Sequence, residues 1–167
     1  ASVVSWCRQR SEETNISFTS DLERQERTLS PCDFGFHNAV RRDDRSIVFL
    51  DFEYFGWDDP AKMTSDFLLH PAMDLPPHLL RRFASNIVAG FSGNRQLADR
   101  IRLTYPLFGL KWCLILLNEF LPANMARRNF AAGQQQEALA LRAGQLAKAQ
   151  AMLDLVNREY KSFPHLD

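Results

Sequence analysis

The sequence has 167 residues, of which 46% are hydrophobic, including 13 phenylalanines. A chain of this length and apolar content can bury one sizeable core, so we predict a single compact domain over residues 1–167 and exclude a disordered chain. Twenty Lys and Arg residues balance twenty Asp and Glu residues. This zero net charge gives no argument for binding to nucleic acid or to an anionic membrane surface.

Cysteine usage and hydropathy indicate a water-soluble, cytoplasmic protein. The three cysteines lie far apart and form no C-x-x-C pair, so neither a disulfide framework nor a zinc knuckle is predicted. Lys111 and Asn118 bound the longest apolar run, so no segment reaches the roughly 18 residues needed to span a bilayer. Residues 1–14 lack the pattern of a secretion signal.

A short helix is predicted over residues 19–29. Asp21 and Glu23 would lie in its first turn, where acidic groups oppose the positive end of the helix dipole. Pro31 follows and ends the segment. We therefore expect a loop from Cys32 to Asn38.

Two short apolar segments come next and predict a β-hairpin. Ala39–Val40 and Ile47–Phe52 flank the strongly polar run 41–46. The run 47–50 is continuously apolar, which is typical of a strand buried on both faces.

The remainder of the chain is predicted to be helical. Pro60 is a favourable first helical residue, and Asp59 before it is the natural N-cap. Apolar residues then recur at helical spacing, in three groups: Met63, Phe67 and Leu68; Leu79, Phe83, Ile87 and Val88; Leu107, Leu110, Leu114 and Leu117. The fold class is therefore mainly α with a small β-hairpin, an α+β arrangement.

The last helix is predicted over Gln134–Tyr160. Its apolar residues recur at seven-residue steps, at Leu139, Leu146, Leu153 and Tyr160. A coiled coil is one interpretation. An amphipathic helix packed on its own domain is the other, and the small number of repeats favours it.

Three polar side chains are predicted to converge at the open end of the hairpin. If the hairpin turns on two residues, Asp44 and Arg45, Asn38 falls directly opposite Asp51. Asp33 precedes Asn38 by five residues, so a loop can bring a second carboxylate there.

Hard oxygen donors without a soft ligand suit Mg²⁺, which binds one or two carboxylates together with substrate phosphates. Phosphoryl transfer needs such a metal and a separate carboxylate that accepts or orients the hydroxyl proton. We therefore predict Asp33 as the catalytic base and Asn38 and Asp51 as metal ligands. Glu53 is predicted to orient those ligands or to contact substrate, with a solvent-facing strand position as the alternative.

These motifs resemble the aminoglycoside phosphotransferase and choline kinase family of the protein-kinase-like superfamily. The resemblance lies in D-x-x-x-x-N at Asp33–Asn38 and, after the hairpin, in Leu50–Tyr54, Gly56 and Asp59–Pro60. It implies the C-terminal lobe of the kinase-like fold, with the catalytic loop and metal-binding hairpin at residues 30–60. It also implies Mg²⁺ and ATP as cofactors and a small hydroxylated substrate, for which a cation is attractive.

The sequence departs from this family in two respects. Pro31 stands where the family has a supporting His two residues before the catalytic Asp. No glycine precedes Asp33, so the Gly-rich loop and lysine of a nucleotide-binding lobe are missing, and the isolated chain should be a poor kinase. A catalytically silent kinase-like module and a helical interaction protein are therefore the alternatives.

Three further polar residues receive structural predictions. Asp66 is predicted to be an exposed helix carboxylate, although a hydrogen bond to the catalytic loop is the alternative. His70 and His165 share no metal-ligand spacing and are predicted to be ordinary surface or packing residues. None of the three is assigned a catalytic role.

Overall fold

The computed structural model describes residues 2–121 and 135–166. Helices dominate, and the strands form two separate two-stranded antiparallel sheets, which confirms the predicted mainly α member of the α+β class. The chain forms two compact units, one of residues 1–108 and 159–167 and the other of residues 109–158. The assignment to a kinase-like lobe stays a prediction.

The elements are short, apart from the last two helices. The α-helices are α1 (Ser2–Thr14), α2 (Pro60–Leu69), α3 (Pro77–Gly90), α4 (Leu97–Leu116) and α5 (Gln135–Glu159). The strands are β1 (Thr28–Ser30), β2 (Ala39–Arg41), β3 (Ile47–Phe49) and β4 (Gly56–Asp58), and single 3₁₀ turns occur at Arg24–Glu26, Phe36–Asn38 and Leu117–Phe120. Over residues 2–121 and 135–166, none of the helices has both the length and the apolar character that crossing a bilayer requires.

The helix predicted over residues 19–29 is wrong. Only one 3₁₀ turn forms there, closed by the Glu26 side chain, which accepts a hydrogen bond from the Glu23 N–H at 3.1 Å. The residues that follow are extended because β1 pairs with β4, in the register Thr28↔Asp58. The acidic first turn is therefore a local cap, and a distant strand determines the conformation beyond it.

The N-terminal helix α1 was not predicted, because its sequence is polar apart from a narrow apolar stripe. Val3 and Cys7 are its buried residues. The Cys7 thiol donates to the Leu103 carbonyl at 3.6 Å, and burial raises its pKa to about 11. The Cys7 side chain thereby links α1 to α4.

The hairpin forms as predicted, but its turn has three residues rather than two. Arg42 N–H donates to Ser46 O at 2.9 Å, and Arg45 occupies the left-handed region with φ 69°. The register is Ala39↔Phe49, so Asn38 lies opposite Leu50 instead of Asp51, and Leu50 N–H donates to Asn38 O at 2.8 Å. The predictions of a two-residue turn and of Asn38 opposite Asp51 are therefore wrong, and the register is shifted by one residue.

The hairpin is also less buried than its apolar sequence predicts. Ile47 and Leu50 are 51% and 49% exposed. Val48 and Phe49 are only partly buried, so neither face of this strand is fully covered. The prediction of a strand buried on both faces is wrong.

Helices α2, α3 and α4 form where the three periodic groups predicted helices, except that Leu117 lies in the 3₁₀ turn after α4. In the larger unit the Phe67 and Phe83 rings stack with centroids 3.8 Å apart, joining α2 to α3. Helix α4 contributes buried side chains there, at Leu97, Ile101, Leu103 and Tyr105. This core supports the segment from β1 to α2 that carries the candidate site.

Helix α5 forms where the last helix was predicted, although Gln134 lies outside the described residues. In the smaller unit it contacts α4, where the Cys113 thiol donates to Ala149 O at 3.6 Å. Over residues 139–159 its buried residues are Ala149, Met152 and Val156, while Leu139, Leu146 and Leu153 are 60%, 42% and 42% exposed. The coiled-coil interpretation stays a prediction.

Candidate active site

A tight turn after β1 presents Asp33. Asp33 N–H donates to Pro31 O at 2.8 Å across Cys32, whose φ is 65°. A three-residue turn with positive φ at a non-glycine residue is uncommon and costs on the order of 1–3 kcal/mol. Fully buried Ser30 supports it, because its hydroxyl accepts the Cys32 N–H at 3.1 Å.

The Cys32 side chain ties this turn to the segment after the hairpin. Its thiol donates to Tyr54 O at 3.0 Å and lies 3.9 Å from the Asp58 carboxylate. The loop is thereby attached both to β1, through the chain, and to the β3–β4 connection, through the thiol.

Asp33 and Asn38 are brought together, as the D-x-x-x-x-N spacing predicts. The Asn38 amide nitrogen donates to the Asp33 backbone carbonyl at 3.0 Å and to Asp33 Oδ2 at 3.2 Å. The Asp33 side chain remains 51% exposed. Since the nitrogen makes both bonds, the Asn38 amide oxygen is left as an acceptor or metal ligand.

Two histidines lie beside Asp33, and neither was predicted to take part in the site. His37 Nε2 is 2.9 Å from Asp33 Oδ1, and His70 Nε2 is 3.6 Å from the same oxygen. The two rings stack with centroids 3.8 Å apart and planes within 3°. His37 is four residues from Asp33, which is a weak local signal, whereas His70 reaches the site only through the fold.

Asp51 lies two residues beyond the end of β3, with φ 59° and an exposed side chain. Its carboxylate makes no hydrogen bond or ion pair within residues 2–121 and 135–166. Its neighbour Leu50 is the residue bonded to Asn38, so Asp51 lies one position beyond Asn38's partner. Its role as a metal ligand stays a prediction.

Glu53 lies in a turn and not in a strand. Phe55 N–H donates to Phe52 O at 3.1 Å across this turn, and the Glu53 side chain is exposed. The alternative of a solvent-facing strand position is therefore wrong in its secondary structure, although the residue does face solvent. Its predicted role toward metal or substrate stays a prediction.

A charged network lies beneath the loop at the start of α2. Lys62 Nζ donates to Asp58 Oδ2 at 2.5 Å and is 3.6 Å from Asp66 Oδ2. Burial lowers the pKa of Lys62, but the Asp58 hydrogen bond and the two carboxylate charges outweigh it, so the pKa is raised overall. Asp66 is 8% exposed, so its prediction as an exposed carboxylate is wrong.

Asp59 is the N-cap of α2, as predicted. One carboxylate oxygen accepts the Ala61 N–H at 2.8 Å, and the other accepts a hydrogen bond from the Arg100 guanidinium of α4. One side chain thus begins the helix after the site and joins it to the core.

Comparison of the chain with protein-family models, with curated proteins and with solved structures finds no match. The resemblance seen in the sequence therefore stays a prediction. What the site can do is argued from the geometry of its own side chains.

Proposed function

We propose that this chain carries the catalytic residues of an ATP-dependent phosphotransferase acting on a hydroxyl of a small molecule. The proposal rests on the geometry of Asp33. Its carboxylate is half exposed, with one oxygen held toward His37 and the other toward Asn38. A fixed and accessible carboxylate of this kind suits a group that accepts or orients the proton of an attacking hydroxyl.

The chemistry of the two predicted ligands, Asn38 and Asp51, fits Mg²⁺. The Asn38 amide oxygen and the Asp51 carboxylate are both hard oxygen donors, and no hydrogen bond from the described residues occupies the carboxylate. Asn38 and Asp51 would hold the ion together with the ATP phosphates. When bound, Mg²⁺ supplies charge neutralisation on the transferred phosphoryl group.

The turn after Asp51 supports a cationic acceptor, such as an amino alcohol or an aminosugar. Tyr54 is 74% exposed, and Glu53 adds a carboxylate between Asp51 and Tyr54 in this turn. Aromatic faces beside acidic groups bind ammonium groups through cation–π and charge interactions. The free thiols of the three cysteines fit a reducing cytoplasm.

The first experiment measures Mg²⁺-dependent ATP binding by calorimetry, using the longest natural form of the protein. Asp51→Ala should weaken binding in Mg²⁺ by at least roughly tenfold, because a bound carboxylate ligand is lost. Asp43→Asn is the matched control, since Asp43 is an exposed carboxylate in the turn of the same hairpin. Equal binding by the wild type and Asp51→Ala would refute the metal assignment.

The second experiment measures ADP release with a panel of amino alcohols, aminosugars and neutral polyols. Asp33→Asn should retain ATP binding and lose roughly 10²–10⁴-fold in turnover, the usual contribution of a positioned acid or base. Full turnover in this variant would refute Asp33 as the base. Absence of ATP binding in the wild type would favour the silent-module alternative.

A further inference from the structure

The hydrogen bonds of His70 determine which of its nitrogens carries a proton. His70 Nδ1 accepts the Ala72 N–H at 3.1 Å. A ring nitrogen that accepts a hydrogen bond is unprotonated, so neutral His70 carries its proton on Nε2. That nitrogen is the one 3.6 Å from Asp33 Oδ1.

His37 has the same tautomer for a different reason. Its Nε2 lies 2.9 Å from Asp33 Oδ1, and an ionised carboxylate only accepts, so Nε2 is the donor. Its Nδ1 is buried and has no hydrogen-bond partner among the described residues. Both rings therefore direct an N–H toward one oxygen of Asp33.

Packing holds the two rings in this orientation. They stack face to face, and His70 is the C-cap residue of α2, directly after Leu69. On the loop side Gly35 leaves room for the His37 ring, and Met73 Sδ accepts the Phe36 N–H at 3.2 Å. The loop is thus attached to the end of α2 beside the catalytic carboxylate.

A metal ion fits this trio poorly, although one donor atom from each of Asp33, His37 and His70 lies within 4.8 Å of the others. A ring nitrogen binds a metal through a lone pair in the plane of the ring. Two parallel rings stacked 3.8 Å apart cannot both place one ion in their planes. In addition, His70 Nε2 already bears the proton, which favours hydrogen bonding over coordination.

We infer that His37 and His70 are positioning residues for Asp33: the His37 N–H holds Oδ1, and the stacked His70 ring holds His37 in place. Oδ2 accepts one hydrogen bond from Asn38 and has a second lone pair for the acceptor hydroxyl. This inference rests on the proposed function. His37 makes the direct hydrogen bond, and His70 supports the His37 ring and adds a weaker, longer contact. Pro31, directly after β1, has no side-chain donor for Asp33. The hydrogen bond to the carboxylate comes instead from His37, which follows Asp33 in the loop.

Two substitutions at His37 separate its hydrogen-bond donation to Asp33 from its stacking on His70. Their kcat is measured in the full-length protein with the acceptor found in the ADP-release panel. His37→Phe keeps a flat ring to stack on His70 but removes the donor, and His37→Gln keeps an N–H donor but removes the ring. We expect His37→Phe to lower kcat roughly 10–100-fold, the cost of a misplaced reacting group, with the KM for Mg-ATP unchanged. His37→Gln should recover most of kcat.

His78→Phe and His78→Gln are the matched controls and should leave kcat unchanged, because His78 is an exposed residue of α3. An unchanged kcat in His37→Phe overturns the inference. Equal losses in His37→Phe and His37→Gln also overturn it, because they indicate that the ring acts by packing alone.

Long-range ¹H–¹⁵N NMR of the same samples tests the pairing without any substrate. Both His37 and His70 should show the Nε2–H tautomer in the wild type, and an Nδ1–H tautomer at either ring would overturn the pairing. A wild type with the expected tautomers but without turnover on any acceptor would instead overturn the proposed function, and with it the catalytic role of the pair.

Discussion

A β-carbon on Gly35 would lie 2.6 Å from both Cε1 and Nδ1 of the His37 ring. The φ of Gly35 is 175°, an extended conformation open to any residue, so the contact with His37 is what requires glycine. The absence of a side chain at Gly35 therefore allows the His37 ring to lie where it contacts Asp33.

Gly35→Ala should destabilise the fold by about 1–3 kcal/mol, the usual cost of overpacking, and should displace His37 from Asp33. Gly90→Ala is the control, because nothing lies within 4 Å of a β-carbon at Gly90. The double variant with His37→Ala should recover most of the lost stability in urea unfolding. If Gly35→Ala were as stable as the wild type, the contact would not restrict the site.

Removing the cap of α2 should be costly because Asp59 has two partners. Asp59→Ala should lower the free energy of unfolding by about 2–4 kcal/mol, from loss of the cap and of the partner of largely buried Arg100. Asp59→Asn keeps an oxygen for the Ala61 N–H and should lose less. Chemical denaturation measures both, and equal losses would show that the cap contributes nothing by itself.

Lys62 should be needed for its charge rather than its length. Lys62→Met leaves the Asp58 and Asp66 carboxylates without their common cation, and should destabilise the fold by about 2–4 kcal/mol. Lys62→Arg retains the charge and should lose under about 1 kcal/mol. Urea unfolding at neutral pH compares them. A stable Lys62→Met variant would contradict the network.

His165 should make stability fall on acidification. Burial lowers its pKa below the ordinary 6.5, with an opposing effect from Glu159 and a smaller lowering effect from Arg81. The unfolded chain thus binds a proton that the folded chain resists, so stability rises with pH. This contribution is fully present above about pH 6.5 and is lost as the pH falls toward the folded pKa.

The measurement is the free energy of unfolding at pH 8, 6.5 and 5.5 for the wild type and for His165→Phe. The substitution keeps an aromatic ring against Tyr105 and Phe163, whose rings contact His165 edge-on. His165→Phe should show a smaller fall between pH 6.5 and 5.5. Identical pH profiles would show that His165 titrates alike in both states.

Much of the site was predictable where it depends on neighbours in the chain. Asp33 and Asn38 are five residues apart, and the spacing alone predicts that a loop can join them, as their hydrogen bonds do. The cross-strand position of Asp51 was harder to predict, because adding one residue to the hairpin turn shifts every cross-strand pair. His70 was missed altogether, since it lies 33 residues beyond His37 and no local pattern links the two.

The sequence by itself determined the helices α2, α3 and α4, the existence of the hairpin and the cap at Asp59. These features depend on periodicity and capping within about four residues, which are local properties of the chain. Only the tertiary structure decided that Thr28–Ser30 would become a strand against β4, that Asp66 would be buried, and that the His70 ring would stack on His37 beside Asp33. Each of these features requires segments distant in sequence to bury particular faces against one another. The folded state has little exposed apolar surface and little unpaired charge over the whole unit, and no single stretch of chain determines that balance.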